Sequence, residues 1–354
     1  MLNGIPGKWI QCKNGLWQGD PLSPYLFIIM ADILQQMIIN AHKDGTLLHP
    51  LCPHLPCPVL QYADDTLIIV KATTTAAKHL KHILDTFAAA TGLQINFTKT
   101  TFIPLNVDPQ EAALMASDLG TTISSFPQTY LGLPLSPHKL PPSAFQPVID
   151  RCDTYLAGWC ALLLSRGGKL VLLSAVLDSL PTYFMLCFSL PVQVIEAIDK
   201  RRRSFFWSND DTCSGAKFLV AWDKVCTPRD AGGLGVKNLR AQNFCLLLKF
   251  AYKFLHSTSL PWKDWVLHHS PLHIGFGKNS SFLAKTIFKH LKNLREISQC
   301  IVGDGCSTFF WLDRWPKPEP LAIVYRALFS HHTNQNALVV TIMQEGTSRK
   351  GLWF

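Results

Sequence analysis

Apolar and polar positions recur with helical spacing early in the chain. Ser23 is a natural N-cap and Pro24 a natural first helical residue. The apolar positions that follow at helical spacing are Leu26, Phe27, Met30, Ile33, Leu34, Met37 and Ile38. The pattern predicts an amphipathic helix that ends near Ala41, before Gly45.

Two short apolar runs flank a pair of acidic residues further along. The first run is Val59-Leu60 with Tyr62, the second is Leu67–Val70, and Asp64 and Asp65 lie between them. Two short strands joined by a tight loop are typical of a β-hairpin. The pattern therefore predicts a hairpin with two carboxylates at its tip.

The remaining periodic segments are mostly helical. A second amphipathic helix is predicted over Ala76–Thr91, with Gly92 as its C-cap. The Pro-rich segment Pro134–Pro147 is typical of a linker or domain edge. A strand is predicted over Phe97–Leu105, and helices near Ala144–Trp159, Gly168–Ser179 and Val192–Trp207. The region from Asn209 onward has mixed signals and is interpreted as a smaller unit.

Composition narrows the class of protein. Hydrophobic residues make up 48% of the 354 residues, enough for a sizeable core. The net charge of +9 fits a polyanionic partner such as nucleic acid, although many basic proteins bind none. The 11 cysteines contain no Cys-x-x-Cys and indicate reduced thiols in an intracellular protein. We find no secretory signal, and charges interrupt the apolar stretch Ala161–Pro191, so no membrane association is predicted.

The adjacent carboxylates at the predicted hairpin tip are a candidate metal site. They repel each other, and a hard cation such as Mg²⁺ relieves that repulsion. In two-metal phosphoryl transfer, one ion activates the attacking hydroxyl and the other stabilises the leaving pyrophosphate. The alternative is ordinary turn chemistry, because aspartate favours hairpin tips in any case. Taken alone, Asp64 and Asp65 leave both possibilities open.

A compact basic run is the second candidate site. Lys200, Arg201, Arg202 and Arg203 follow one another on a predicted helix. We predict that they contact the phosphate backbone of a nucleic acid. A solvated helix face is the alternative.

Several motifs resemble the non-LTR (LINE-type) retrotransposon reverse transcriptases, in the order that the family has them. Gly15–Pro24 resembles motif B, near the template and incoming nucleotide. Tyr62–Asp65, with the sequence Tyr-Ala-Asp-Asp, resembles the catalytic hairpin called motif C. Gly92–Asn96 with Lys99 resembles motif D, and Tyr130–Leu135 resembles the primer grip.

The likeness continues beyond these motifs. Leu164–Leu170 and Phe188–Pro191 resemble the thumb of plant elements of this type. Trp222–Cys226, Gly232–Gly235 and Phe310–Trp315 resemble the segment that such elements carry after the thumb. The resemblance therefore covers nearly all of the chain.

The resemblance implies roles for individual residues. Asp64 would be a Mg²⁺ ligand, with Asp65 beside it in the catalytic carboxylate cluster. Tyr62 would shape the nucleotide and primer site, and Gln18 and Gly19 would border the nucleotide. The implied partners are an RNA template, a DNA primer and deoxynucleoside triphosphates, whereas the oligomeric state is not predicted.

Lys99 has two interpretations. By resemblance it would lie near the leaving pyrophosphate and act as a general acid, because a cation favours charge that develops on a leaving phosphate. The alternative is a solvated lysine at the end of a strand.

Two departures from the family affect the expected activity. The family's motif A, whose aspartate completes the metal site, precedes motif B, and Met1 falls shortly before motif B. The first acidic residue in the chain is Asp20, which we expect to cap the turn before Pro21. Trp17 stands where the family usually has arginine. We therefore predict little or no polymerase activity for this chain alone.

The predicted architecture is α+β, with a partial right-hand polymerase palm over residues 1–125. A primer grip and helical thumb follow over 126–208, and a helical and irregular C-terminal unit over 209–354. The predicted function is that of an RNA-directed DNA polymerase fragment, in the nucleus or cytoplasm. The alternatives are a non-catalytic nucleic-acid-binding remnant, a degenerate retroelement product, or a different polymerase such as an intron maturase or a viral RNA polymerase.

Overall fold

The computed structural model contains helices and three two-stranded sheets in the part of the chain that it describes. This composition confirms the predicted α+β class. Two compact units can be distinguished, Met1–Pro137 and His138–Phe354. The described residues are 19–51, 54–158, 164–207, 219–256 and 282–348, with residues 5, 7, 15 and 263.

The described part of the first unit combines three helices with three strand pairs. Strands β1 and β2 are antiparallel, as are β5 and β6, whereas β3 and β4 are parallel. The elements are α1 (Ser23–Lys43), β1 (Val59–Tyr62), β2 (Asp65–Ile68), α2 (Thr74–Thr91), β3 (Thr101–Phe102), α3 (Pro109–Leu119), β4 (Thr122–Ile123), β5 (Gln128–Tyr130) and β6 (Leu133–Leu135).

The core of the first unit lies between its helices, and α2 contacts both α1 and α3. Most of its buried side chains come from the apolar stripes of these helices. They include Leu34, Ile38, Leu80, Leu84, Phe87, Met115 and Leu119. The stripes predicted for α1 and α2 therefore supply this core.

The start of α1 differs slightly from the prediction. Ser23 is already helical and Leu22 is the N-cap. Asp20 organises the turn before it, because its side chain accepts a hydrogen bond from the Leu22 amide at 3.0 Å and its carbonyl accepts one from the Ser23 amide at 3.2 Å. The prediction that Asp20 caps this turn is confirmed. The helix ends at Lys43 rather than Ala41.

Helix α1 also has an exposed apolar face. Tyr25, Ile28 and Ile29 are 67%, 63% and 56% exposed. By length and composition this helix meets the criteria for a membrane span, which a core helix of a soluble protein also meets. In the described part of the chain, this face is not covered.

Helix α2 begins and ends at clear capping residues. The Thr73 hydroxyl accepts a hydrogen bond from the Ala76 amide at 3.1 Å. Gly92 closes the helix with φ 74°, and its amide donates to the Ala88 carbonyl at 2.9 Å. The predicted C-cap is confirmed, because this left-handed conformation favours glycine.

Replacing Gly92 by alanine should lower the free energy of unfolding by about 1 kcal/mol, as measured by urea titration. A Cβ at Gly92 would meet no atom within 4 Å, so the cost comes from the backbone. The left-handed conformation costs an L-residue roughly 1–2 kcal/mol, partly offset by the lower entropy of the unfolded chain. The control is Gly167→Ala in the helix Arg166–Leu172, which should stabilise by about 0.5–1 kcal/mol. Equal effects of the two changes would contradict this explanation.

The strand predicted over Phe97–Leu105 is mostly replaced by a turn. Asn96 holds this turn, because its carbonyl accepts hydrogen bonds from the amides of Lys99 and Thr100 at 3.1 and 3.0 Å. Its side chain accepts from the Lys99 amide at 3.2 Å. Only the two residues of β3 remain extended.

The second unit is largely helical. The helices whose bounds the structure describes are α4 (Gln146–Ala157), α5 (Arg166–Leu172), α6 (Thr182–Cys187), α7 (Val192–Trp207), α8 (Trp222–Val225), α9 (Leu239–His256), α10 (Phe282–Ile297), α11 (Leu321–Val324), α12 (Arg326–His331) and α13 (Val339–Ser348). Short 3₁₀ helices cover Pro142–Phe145 and Arg229–Ala231.

Two of the three helices predicted in this unit are divided. The one predicted near Ala144–Trp159 consists of a 3₁₀ turn followed by α4. The one predicted near Gly168–Ser179 continues from α5 into a π-helical turn at Leu173–Leu177. The prediction for Val192–Trp207 is confirmed at both ends.

Candidate catalytic hairpin and basic helix

The hairpin predicted around the two acidic residues is present. Tyr62 pairs with Asp65 across β1 and β2, which leaves a loop of Ala63 and Asp64. Ala63 has φ 51°, as expected for the first residue of a two-residue loop that matches the twist of its strands. Asp64 therefore lies in the loop and Asp65 is the first residue of β2.

The tip of this hairpin is open to solvent, whereas strand β1 behind it is hydrogen-bonded to α1. Asp64 and Asp65 are exposed, and Tyr62 is 66% exposed. Further back, the Gln61 side chain donates a hydrogen bond to the Ala31 carbonyl of α1 at 3.2 Å. The carboxylates are thus presented from a supported hairpin, where a ligand can reach them.

Tyr130 connects the hairpin to the segment that resembles the primer grip. This residue ends β5, and its hydroxyl donates to the Leu60 carbonyl of β1 at a long 3.4 Å. Burial raises the pKa of Tyr130, and the negative charge of Asp65 raises it further. The two hairpins therefore lie side by side. Sequence reasoning did not single out Tyr130 as a site residue, although it lies within the primer-grip motif.

The neighbourhood of Tyr130 and Asp65 can be tested by tyrosinate absorbance. Asp65→Asn should lower the pKa of Tyr130 toward its ordinary value, because it removes a nearby negative charge. The raised pKa also contributes stability, which is fully present below the unfolded pKa of about 10 and is lost as pH rises through the folded pKa. Subtracting the titration of a Tyr130→Phe variant isolates this residue. An unchanged Tyr130 pKa in Asp65→Asn would contradict the arrangement.

The donor chemistry of the hairpin tip fits a hard divalent cation in type, but the set is partial. Asp64 and Asp65 offer carboxylate oxygens, which Mg²⁺ prefers. Within the described ranges, no group of three or more histidine, cysteine or acidic side chains is arranged to hold a metal ion. A complete site would need a further oxygen ligand.

Gly19 and Lys99, which the resemblance assigns to motifs B and D, have no hydrogen bond or ion pair to the tip among the described residues. Gly19 is exposed with φ 89°, and Gln18 lies outside the described residues. Lys99 is exposed in the turn after Asn96. No hydrogen bond or ion pair among the described residues connects Lys99 to Asp64 or Asp65, so its role as a general acid stays a prediction.

The basic run on α7 does not form one cationic surface. Lys200 is exposed, whereas Arg201 is half-buried and donates to both carboxylate oxygens of Asp153 at 2.5 and 2.7 Å. Arg203 is half-buried as well. Arg202 is only 1% exposed.

The prediction that Arg202 contacts nucleic acid is therefore corrected. Its guanidinium lies 2.5 Å from a carboxylate oxygen of Asp178, which is 0% exposed, and it also pairs with Asp199. It donates to the Lys237 carbonyl at 2.7 Å, and the Lys237 amide donates to Asp178 at 3.1 Å. A side chain held in this way stabilises the second unit and is not available to phosphate. For the other three cations, nucleic-acid binding stays a prediction.

Comparison with known proteins identifies the family of the chain. A family model described as reverse transcriptase (RNA-dependent DNA polymerase) matches residues 1–135, a span that includes the Asp64 hairpin and Tyr130. The chain belongs to the reverse transcriptase family. Within it, the chain is of the non-LTR (LINE-type) retrotransposon kind, as its motifs and relatives agree.

The relatives come from plants and from an animal transposon. A putative ribonuclease H protein of Arabidopsis thaliana is 30% identical over 200 residues, 53% of this chain and 32% of that protein. An uncharacterized mitochondrial protein of the same plant is 30% identical over 145 residues, 39% of this chain and 92% of that protein. The transposon TX1 uncharacterized 149 kDa protein of Xenopus laevis is 25% identical over 254 residues, 70% of this chain and 18% of that protein. This chain thus spans about a third or less of the two larger relatives.

Proposed function

We propose that this chain contributes the catalytic hairpin of a retrotransposon reverse transcriptase, with Asp64 and Asp65 taking part in two-metal nucleotidyl transfer. The observation that carries the proposal is the two-residue loop that exposes both carboxylates. The hairpin lies within the span that matches the family, and beside Tyr130 of the primer-grip segment. If the two aspartates served only the geometry of the turn, neither the family match nor the position beside Tyr130 would be needed.

Each residue at the tip has a part in the proposed reaction. Asp64 and Asp65 would hold Mg²⁺, which supplies charge neutralisation at the attacking hydroxyl and at the leaving pyrophosphate. The exposed ring of Tyr62 would border the primer and nucleotide. Lys99 would bring a positive charge, and a proton on its Nζ, to the leaving group.

The proposal includes low activity for this chain on its own. Two adjacent carboxylates make a partial metal site, and a third carboxylate would have to come from another strand. Two features of the described residues support this view. The β1–β2 pair has no further partner strand among them, and the apolar face of α1 is uncovered. Such an edge and such a face are suited to receive additional protein structure.

By the same proposal, the first unit is part of a polymerase palm and the second begins with a thumb. The substrates would be an RNA template, a DNA primer and deoxynucleoside triphosphates. The site of action would be intracellular, in the nucleus or cytoplasm.

Primer extension on an RNA template with Mg²⁺ tests the proposal. The chain is compared with a version extended upstream by the homologous segment of an intact reverse transcriptase that contains motif A. We expect nucleotide incorporation by the extended version and little or none by the chain alone. Efficient polymerisation by the chain alone would refute the partial metal site.

The alternative is a nucleic-acid-binding remnant without catalysis, which the positive charge of the chain favours. It predicts that neither version extends a primer, although both bind an RNA–DNA hybrid. A control extension in which the motif A aspartate is replaced by asparagine shows whether any activity gained depends on that carboxylate.

A further inference from the structure

Helices α9 and α10 form a packed pair in the second unit. Leu247 and Ala251 of α9 are buried, as are Ile287 and Leu291 of α10. The rings of Phe244 and His290 also meet, with centroids 5.4 Å apart. These contacts fix which face of each helix points toward protein.

The opposite faces of the two helices carry lysines. Lys249 and Lys253 are one helical turn apart on α9, and Lys285, Lys289 and Lys292 share one face of α10. All five are exposed. The sequence of α9 contains no acidic residue, and that of α10 contains only Glu296.

None of these five lysines has an ion-pair partner among the described residues. The arginines of the same helices differ, because Arg240 pairs with Glu196 at 2.9 Å and Arg295 lies 3.3 Å from Asp313. The field of the lysines acts on their surroundings, since burial and the charge of Lys289 together lower the pKa of His290. Within the described ranges, acidic side chains therefore leave this positive charge unpaired.

We propose that the lysine face of α9 and the lysine face of α10 each bind the phosphate backbone of a nucleic acid without reading its sequence. The lysine surface is defined as these two faces taken together, Lys249 and Lys253 on α9 and Lys285, Lys289 and Lys292 on α10. It is separate from the predicted basic run on α7, in which Arg201 and Arg202 are already paired with acidic side chains. The proposal needs neither the hairpin nor catalysis.

The spacing suits a charged strand. At 1.5 Å per residue, lysines four and seven residues apart lie about 6 and 10 Å apart along the helix axis. These separations correspond to roughly two and three phosphate steps of a nucleic-acid strand. One strand can thus contact successive lysines on one helix.

A lipid surface fits this face less well. Helices that lie on membranes bury bulky apolar side chains next to their lysines. On α10, the lysine face also contains Asn293 and Glu296, which are polar, whereas on α9 Tyr252 is 52% exposed between Lys249 and Lys253. One exposed aromatic ring is less apolar surface than a membrane-bound helix buries, so nucleic acid is the polyanion that this surface favours.

The test is the salt dependence of binding to a fluorescently labelled RNA–DNA hybrid and to labelled single-stranded RNA, measured by anisotropy. One variant replaces the five surface lysines by glutamine. A matched variant removes the same charge elsewhere in the second unit, at the exposed residues Lys139, Lys224, Lys237, Lys317 and Arg326. Circular dichroism verifies that both variants keep their helices.

The expected result is a selective loss of electrostatic binding in the first variant. A strand that contacts the three lysines of α10 loses three phosphate contacts, which should reduce the slope of log affinity against log salt by about 2–3. A fourfold rise in salt should therefore cost the unchanged chain roughly 30-fold more affinity than the variant. The matched variant should keep most of the slope.

Three outcomes would overturn the proposal. The first is an equal loss of salt dependence in both variants, which means that net charge alone decides binding. The second is an unchanged salt dependence in the first variant. The third is binding of phosphatidylserine vesicles without binding of nucleic acid. Loss of the salt dependence in the first variant supports the proposal whether or not the upstream-extended version extends a primer, which separates this surface from the proposed polymerase site.

Discussion

Replacing Arg202 by methionine is expected to lower the free energy of unfolding by about 3–5 kcal/mol, the usual cost of breaking a buried ion pair. The change leaves the carboxylate of Asp178 in the interior without its main counter-charge, since Asp178 is 0% exposed. Among the described residues, the donor that remains to this carboxylate is the Lys237 amide, at 3.1 Å. Urea titration of the whole chain, monitored by circular dichroism, measures the effect.

An exposed ion pair between α7 and α9 provides the control. Arg240 and Glu196 lie 2.9 Å apart with side chains 58% and 59% exposed, so Arg240→Met should cost about 0–1 kcal/mol. Combining Arg202→Met with Asp178→Leu should recover part of the loss, because no buried charge is then left unpaired at Asp178. If Arg202→Met cost no more than Arg240→Met, the buried position of Arg202 would be wrong.

Asp64→Asn and Asp65→Asn are each expected to reduce nucleotide incorporation about 1000-fold or more in the upstream-extended version. Asparagine keeps the shape of aspartate but loses the negative charge that holds a cation. Loss of a metal ligand removes several kcal/mol of transition-state stabilisation, and 1.36 kcal/mol corresponds to a factor of ten. Single-nucleotide incorporation under pre-steady-state conditions measures this step directly.

Asp44→Asn is a suitable control for these variants, because Asp44 is also exposed in the first unit, at the end of α1. It should incorporate nucleotides at the unchanged rate. Affinity for the RNA–DNA hybrid should change little in any of the three variants. Retained incorporation in Asp64→Asn would refute its role as a metal ligand, whatever the result for the lysine surface.

The candidate site was largely predictable because its signals are local. A two-residue loop between short strands follows from the spacing of Tyr62 and Asp65, and the C-cap at Gly92 follows from the end of an apolar stripe. The family resemblance also rests on contiguous motifs. What the sequence did not predict is the contact of Tyr130 with β1, because it joins residues 70 positions apart.

The burial of Arg202 has a signal in the sequence, although the residue lies within a contiguous basic run. Arg202 continues the buried stripe of Ile195, Ile198 and Phe205, at intervals of three and four residues. Helical periodicity alone would have placed it in the interior, with an acidic partner. That partner, Asp178, interrupts an apolar stretch. The π-helical turn before it has no comparable sequence signal.

The lysine surface could have been found from the sequence, because Lys285, Lys289 and Lys292 have helical spacing. The contiguous run on α7 has the higher charge density along the sequence, and it was therefore the predicted site. Four consecutive residues point in different directions around a helix, whereas residues three and four apart share a face. Spacing is therefore the better indicator of a charged surface.

The two-residue loop of the hairpin also restricts changes in chain length. Side chains alternate between the two faces of a strand. One residue inserted in β2 before Leu67 would therefore move the side chain of Leu67, and that of Ile68, each to the other face of the hairpin. It would also change the turn that presents Asp64. Point substitutions at the exposed Leu60 leave the pairing intact. Copies of this retrotransposon that accumulate mutations should therefore retain the number of residues between Val59 and Ile68, whereas the identity of the exposed residues in that segment changes earlier.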